Sequence, residues 1–121
     1  MNTIIFSTNK YFTNEIKDFL SLYGDSFYYA KTNKEVIQLL NKLPIDFVII
    51  DTAMYKEFKL IEYINENYKD TKIILTMSKE LVDIVSTIKN GKYDLLSQPF
   101  RLSDLRKEFE KKDKNNLKKS F

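Results

Sequence analysis

Four short stretches, each at or just after the end of an apolar run, hold the side chains with which this chain could do chemistry. They are Ser7-Thr8-Asn9, Asp51-Thr52-Ala53-Met54, Met77-Ser78-Lys79 and Gln98-Pro99. Because the chain contains no Cys and no His, thiol catalysis, redox chemistry, the usual zinc sites and Ser-His or Cys-His nucleophiles are excluded. The candidate chemistry that remains is that of a carboxylate, Asp51, with Lys79 as the nearby cation.

Length and composition predict one domain. With 121 residues, 43% of them hydrophobic and among them 9 Phe and 8 Tyr, the chain has enough apolar material for a single core. The first ten residues do not resemble a secretory signal, and no apolar run reaches the ~18 residues of a membrane span. We therefore expect a cytoplasmic, soluble protein without a membrane partner.

Charge is unevenly distributed along the chain. The net charge is +3, and five lysines fall within 110–119. Residues 111–121 are interpreted as a basic tail or truncated linker after a domain spanning 1–110. Contact of this run with nucleic acid or with an acidic partner is the alternative interpretation.

Apolar runs alternate with amphipathic ones, which is typical of βαβ units on a parallel sheet. The pattern predicts strands at Ile4-Ile5-Phe6, 26–30, 47–50, 73–75 and Leu95-Leu96, and a helix after each. The helix before Gly91 has its apolar face at Leu81, Ile84, Val85 and Ile88. Five strands and five helices favour an α/β, flavodoxin-like, doubly wound parallel sheet of order 2-1-3-4-5. In such a sheet the carboxyl ends of the strands hold the site, so the four stretches should meet there.

Three of these segments resemble the receiver domain of bacterial two-component response regulators. They are IDFVIIDTAM at 45–54, TKIILTMSKE at 71–80 and GKYDLLSQPF at 91–100, and the resemblance covers about residues 3–109. It implies that Asp51 matches the phospho-accepting aspartate. In the family, an acidic pair after strand 1 helps this aspartate to hold Mg²⁺, while a Thr or Ser after strand 4 and a Lys after strand 5 contact the phosphoryl group.

Carried over by position, the resemblance places the acidic pair at Ser7 and Thr8, the hydroxyl at Met77 and the lysine at Gln98. The aromatic residue that often switches rotamer on strand 5 falls on Leu95. Transfer to a carboxylate requires cations that neutralise the charge on the transferring oxygens. We therefore expect a degenerate site, with Mg²⁺ as a cofactor only if Asp51 is an active acceptor. Otherwise Asp51 is structural and accepts hydrogen bonds from Ser7, Thr8 or Lys79.

Two functions of different classes follow. The first is an atypical receiver that acts as a phosphorylation-independent interaction module, docking a protein partner or dimerising through helix 4, strand 5 and helix 5. The residues expected on that face are Ile84, Ile88, Lys89, Tyr93, Leu102, Arg106 and Lys107. The second is a phospho-acceptor that takes a phosphoryl group on Asp51 from a histidine kinase. DNA would be bound only through an output domain outside this chain, because no nucleic-acid motif lies within it.

Overall fold

The computed structural model describes residues 1–21, 25–51, 58–78, 92–98 and 100–119. Five parallel strands form one sheet in the order β2-β1-β3-β4-β5, which confirms the predicted topology. The elements in chain order are β1 Asn2–Phe6, α1 Lys10–Leu20, β2 Ser26–Ala30, α2 Asn33–Lys42, β3 Phe47–Asp51, α3 Phe58–Asn67, β4 Lys72–Ser78, β5 Asp94–Gln98 and α4 Leu102–Lys119.

Four helices lie in the described ranges, and the last of them, α4, is the fifth helix of the sequence prediction. The predicted helix at Leu81, Ile84, Val85 and Ile88 lies outside the described residues. The backbone of α4 continues through Lys119, so the segment predicted as a tail is helical there. The domain boundary after residue 110 remains a prediction. None of the described helices is both long and apolar enough to cross a membrane.

The core consists of two clusters, one on each face of the sheet. Strand β3 contributes side chains to both clusters, because successive side chains of a strand point to opposite faces. Four of its residues are fully buried: Phe47, Val48, Ile49 and Ile50. Val48 and Ile50 belong to the cluster that includes α3 side chains. Phe47 and Ile49 belong to the other cluster, which includes residues of α1 and α4. The rings of Phe47 and Phe109 stack 4.2 Å apart.

Helix caps fix where two of the helices begin. The side chain of Asn9 accepts hydrogen bonds from the backbone N–H groups of Tyr11 and Phe12, which satisfies two donors at the start of α1. Thr32 does the same for Glu35 at the start of α2. Because only Ser7 and Thr8 separate Asn9 from the end of β1, its cap sets the direction in which the chain leaves the sheet beside the polar side chains.

Candidate functional site

The carboxyl ends of β1, β3 and β4 bring Ser7, Asp51 and Thr76 together. The register pairs Phe6 with Ile50, and the next residues along the two strands are Ser7 and Asp51. The register of β3 with β4 pairs Asp51 with Thr76. The polar side chains predicted for the ends of strands 1 and 3 therefore do lie at one edge of the sheet.

The Ser7 hydroxyl donates a hydrogen bond of 2.8 Å to Asp51 Oδ2. Ser7 was one of three donors considered for this carboxylate, and the structure confirms it. Thr8, the second of the three, is exposed, and Lys79, the third, lies outside the described residues. Asp51 is half-buried and Ser7 is buried, so this bond is shielded from much of the solvent.

Backbone groups hold the Ser7 side chain in place. The Asn9 N–H donates to Ser7 Oγ at 3.0 Å, and the Ser7 N–H donates to the Ala30 carbonyl at 3.2 Å. With its oxygen accepting from Asn9, the hydroxyl directs its own proton to Asp51. The position assigned to the family's acidic pair therefore carries a neutral donor that is held by both β2 and the α1 cap.

Thr76, and not Met77, is the hydroxyl-bearing position beside Asp51. Met77 is 3% exposed and belongs to the cluster of Val48 and Ile50, on the sheet face opposite to Asp51. Thr76 is the register partner of Asp51, is fully buried, and donates a long hydrogen bond of 3.4 Å to the Ile50 carbonyl. The register therefore places a hydroxyl beside Asp51 one residue before Met77, the position carried over from the family.

An observable signal in the sequence pointed to Thr76. Within KIILTMS the apolar residues Ile73, Leu75 and Met77 share one face, whereas Ile74 and Thr76 share the other. A register error of one residue moves every side chain to the opposite face. In this strand the alternation places Thr76 and Met77 on opposite faces of the sheet.

The donor set described at this edge is a poor fit for Mg²⁺. Ser7 and Thr8 bring hydroxyls but no charge, and the Asp51 carboxylate already accepts from Ser7, whereas Mg²⁺ is usually bound with carboxylates among its oxygen ligands. No group of three or more His, Cys, Asp or Glu side chains suited to a metal occurs among the described residues. Gln98 ends β5, and its side chain lies outside the described part of the chain.

The residues predicted for an interaction face are only partly described. Ile84, Ile88 and Lys89 lie outside the described residues. Tyr93 is half-buried against the core, where burial raises the pKa of its phenol. Leu102 packs against the other core cluster, and Lys107 is exposed.

Arg106 has a partner within its own chain. Its Nη1 donates to Asp25 Oδ2 at 2.9 Å, and the N-terminal amino group lies 3.2 Å from the other oxygen of the same carboxylate. The guanidinium also lies over the Phe109 ring, 5.9 Å from its centre. Arg106 therefore joins α4 to the start of β2, a contact that the sequence analysis did not predict.

Comparison with known proteins gives a consistent result. The sequence model of the family described as response regulator receiver domain matches residues 4–110. A response regulator from Thermotoga maritima is 27% identical, with a TM-score of 0.77 over 92% of this chain and 95% of that chain. The receiver domain of Francisella response regulator 1452 is 20% identical, with a TM-score of 0.79 over 95% and 98% of the two chains.

A longer protein also contains this fold. NtrX from Brucella abortus, solved with ADP, is 17% identical with a TM-score of 0.81, and the match covers 98% of this chain but 28% of that one. No curated protein sequence matches the chain significantly. Since the family model spans most of the sequence and the sheet has the order found above, the chain belongs to the response regulator receiver domain family.

Proposed function

We propose that this receiver domain is an atypical one, which works as a protein-interaction module without phosphorylation of Asp51. The observation that carries the proposal is the hydrogen bond from the Ser7 hydroxyl to Asp51. A neutral side chain occupies the place where the family presents a carboxylate. The aspartate is thereby stabilised by a hydroxyl within the fold, a role that requires neither metal nor phosphodonor.

Electrostatics support the same conclusion. A carboxylate that attacks a phosphoryl donor brings two anions together, and receivers compensate with a bound divalent cation and a lysine. Here Ser7, Thr8 and Thr76 bring hydroxyls, which donate hydrogen bonds but no positive charge. By sequence, the lysine position carries Gln98, whose amide is also neutral.

The module would act through contacts with a protein partner or with a second copy. The predicted face, formed by the helix predicted at 81–88 together with β5 and α4, includes Tyr93, Leu102 and Lys107, which combine half-buried apolar surface with exposed positive charge. Such a mixture suits a contact with an apolar centre and a charged rim. Arg106, also predicted on this face, has its guanidinium paired with Asp25 of its own chain.

A second candidate function is a working phospho-acceptor that receives a phosphoryl group on Asp51 from a histidine kinase. The observation in its favour is the register of Asp51 with Thr76, which keeps a hydroxyl next to the aspartate. In that case Lys79 would supply the missing positive charge, and Mg²⁺ would be needed. The domain would then regulate an output domain, such as a DNA-binding one, in a longer chain.

Intact-mass spectrometry after incubation with acetyl phosphate and Mg²⁺ separates the two candidates. We expect no phosphoryl adduct on the wild-type protein, while an active receiver treated in the same buffer acquires one. An adduct that is present in the wild type and missing in Asp51→Ala would overturn the proposal in favour of the phospho-acceptor.

A further inference from the structure

Strand β2 is one edge of the sheet and carries no charge along its length. Its sequence is SFYYA, and among the described residues it pairs only with β1. Edge strands usually carry a Lys, a Pro or a bulge that prevents pairing with another chain. The five residues of β2 include neither Lys nor Pro, they pair with β1 in unbroken register, and the Tyr29 side chain is 43% exposed. By contrast, the strand at the other edge, β5, begins with the charged residue Asp94.

The hydrogen bonds to β1 reveal which backbone groups of β2 point outward. The Ser26 N–H donates to the Met1 carbonyl at 2.9 Å, and the Ala30 carbonyl accepts from the Ser7 N–H at 3.2 Å. Ser26 and Ala30 thus direct their peptide groups to β1, and so does Tyr28, because residues alternate along a strand. The N–H and C=O groups of Phe27 and Tyr29 point away from the sheet.

We propose that β2 pairs antiparallel with β2 of a second copy of this chain, so that two sheets join into one continuous sheet. With the two-fold axis at Tyr28, Phe27 of each copy lies opposite Tyr29 of the second copy. This is a hydrogen-bonded position of an antiparallel ladder, where the two residues exchange both backbone bonds. The outward groups of the edge are therefore satisfied by the same groups of an identical chain, as an isologous contact requires.

The side chains fit the same register. Phe27 and Tyr29 point to one face of the sheet, so the pairing brings an aromatic ring opposite an aromatic ring, a favourable cross-strand combination. This interface lies at the edge opposite to β5. It goes beyond the proposed function, which concerns Asp51 and the face around β5.

Sedimentation-velocity runs over a range of protein concentrations test the pairing. We expect a concentration-dependent dimer whose dissociation constant rises at least about tenfold in Tyr29→Lys, because a charge at the edge blocks strand addition. Tyr11→Lys is the matched control. It makes the same change at a tyrosine of α1 that is 86% exposed, and it should leave the dimer unchanged. Thermal unfolding checks that both variants fold.

Single-cysteine variants test the register, since the chain has no cysteine of its own. In the proposed pairing Tyr28 lies opposite Tyr28 of the second copy with Cα atoms about 4.5 Å apart, within disulfide range. The two copies of Ser26 are about 13 Å apart, four residues of strand rise. We expect Tyr28→Cys to form a disulfide-linked dimer under mild oxidation and Ser26→Cys to remain mostly monomeric.

Three results would overturn this inference. One is a monomer at every concentration, and another is equal cross-linking of the two cysteine variants. The third is a dimer that Tyr29→Lys leaves intact but Lys107→Glu weakens, which would place the contact at the β5 face. None of these results changes the phosphorylation test of Asp51, so the two proposals fail separately.

Discussion

Ser7 and Asp51, 44 positions apart in the chain, are joined by a 2.8 Å hydrogen bond between the ends of β1 and β3. The same Ser7 oxygen accepts from the Asn9 N–H, so one hydroxyl links the aspartate to the start of α1. In this fold Asp51 therefore belongs to a hydrogen-bond network that connects the carboxyl ends of β1 and β3 with the start of α1.

Replacing Ser7 by Ala should destabilise the protein. The substitution removes a donor to a half-buried carboxylate and an acceptor for a backbone N–H, and we expect a loss of about 1–3 kcal/mol in the free energy of unfolding. Urea unfolding measures it. Thr8→Ala, at the exposed neighbouring position, is the control and should change stability by less than about 0.5 kcal/mol. Equal effects of the two substitutions would argue against a structural role for Ser7.

Restoring the missing charges should convert the site into an acceptor. We expect the triple variant Ser7→Asp, Thr8→Asp, Gln98→Lys to acquire a phosphoryl group from acetyl phosphate in the presence of Mg²⁺, under conditions in which the wild type acquires none. Intact-mass spectrometry follows the adduct. Adding Asp51→Ala to the triple variant should abolish it. A folded triple variant that stays unmodified would mean that the missing charges are not what prevents transfer.

The triple variant can also be used to test whether Thr76 or Met77 is the position that affects phosphoryl transfer. Thr76→Val keeps the shape of a buried side chain but removes the hydroxyl on the Asp51 side, so phosphorylation should slow by about tenfold or more. Met77→Leu changes a core residue of similar size on the opposite face and should leave the rate nearly unchanged. The reverse order of effects would favour Met77, the position carried over from the family, over Thr76.

The strands, the helices and the order of the sheet could be predicted from the sequence, because local residue patterns specify them. Phe47 to Ile50 form an unbroken apolar run that is typical of a strand buried on both faces, and the alternation of elements then restricts the order of the sheet. The faces of β4 are also written in its alternation, because a shift of one residue keeps the strand and exchanges its faces, and this separates Thr76 from Met77. The contact of Asp25 with Arg106 spans 81 positions and depends on how α4 lies across the sheet, which no local pattern specifies.

The pair of Asp25 and Arg106 should contribute to stability in a way that two ordinary surface charges do not. Their side chains are 6% and 18% exposed, and removing one partner leaves the other poorly solvated. We expect Arg106→Met to lower the free energy of unfolding by about 1–3 kcal/mol. A double-mutant cycle with Asp25→Asn should show a coupling of at least about 0.5 kcal/mol.

The matched comparison for this cycle is the pair of Lys111 and Glu108, one turn apart on the same helix. Its N–O distance is also 2.9 Å and the Glu108 side chain is 12% exposed, but the Lys111 side chain is 63% exposed, so the cation of this pair remains solvated. Such pairs contribute about 0.2–0.5 kcal/mol, and salt screens them. Lys111→Met should therefore have a small, salt-dependent effect. If both pairs behaved alike, burial would not be the property that distinguishes them.

Two tyrosines should make the fold sensitive to alkaline pH. Burial, followed by the negative charge of Asp18, raises the pKa of Tyr29, and burial raises the pKa of Tyr93. In the unfolded chain both phenols titrate near pH 10, so between that pH and their folded pKa values the folded state binds more protons. Stability is therefore fully present below about pH 10 and declines as the pH rises through the folded pKa values.

Urea unfolding between pH 9 and pH 11 measures this decline. Tyr29→Phe and Tyr93→Phe should each make it shallower, because each removes one ionisation that folding disfavours. Lysines also titrate in this range, but they are common to all variants and cancel in the comparison. Tyr11→Phe, at a ring that is 86% exposed, is the matched control variant. If the Tyr29 and Tyr93 variants kept the wild-type slope, the alkaline loss would come from other groups, since a phenol that ionises equally well in both states contributes nothing to the pH dependence.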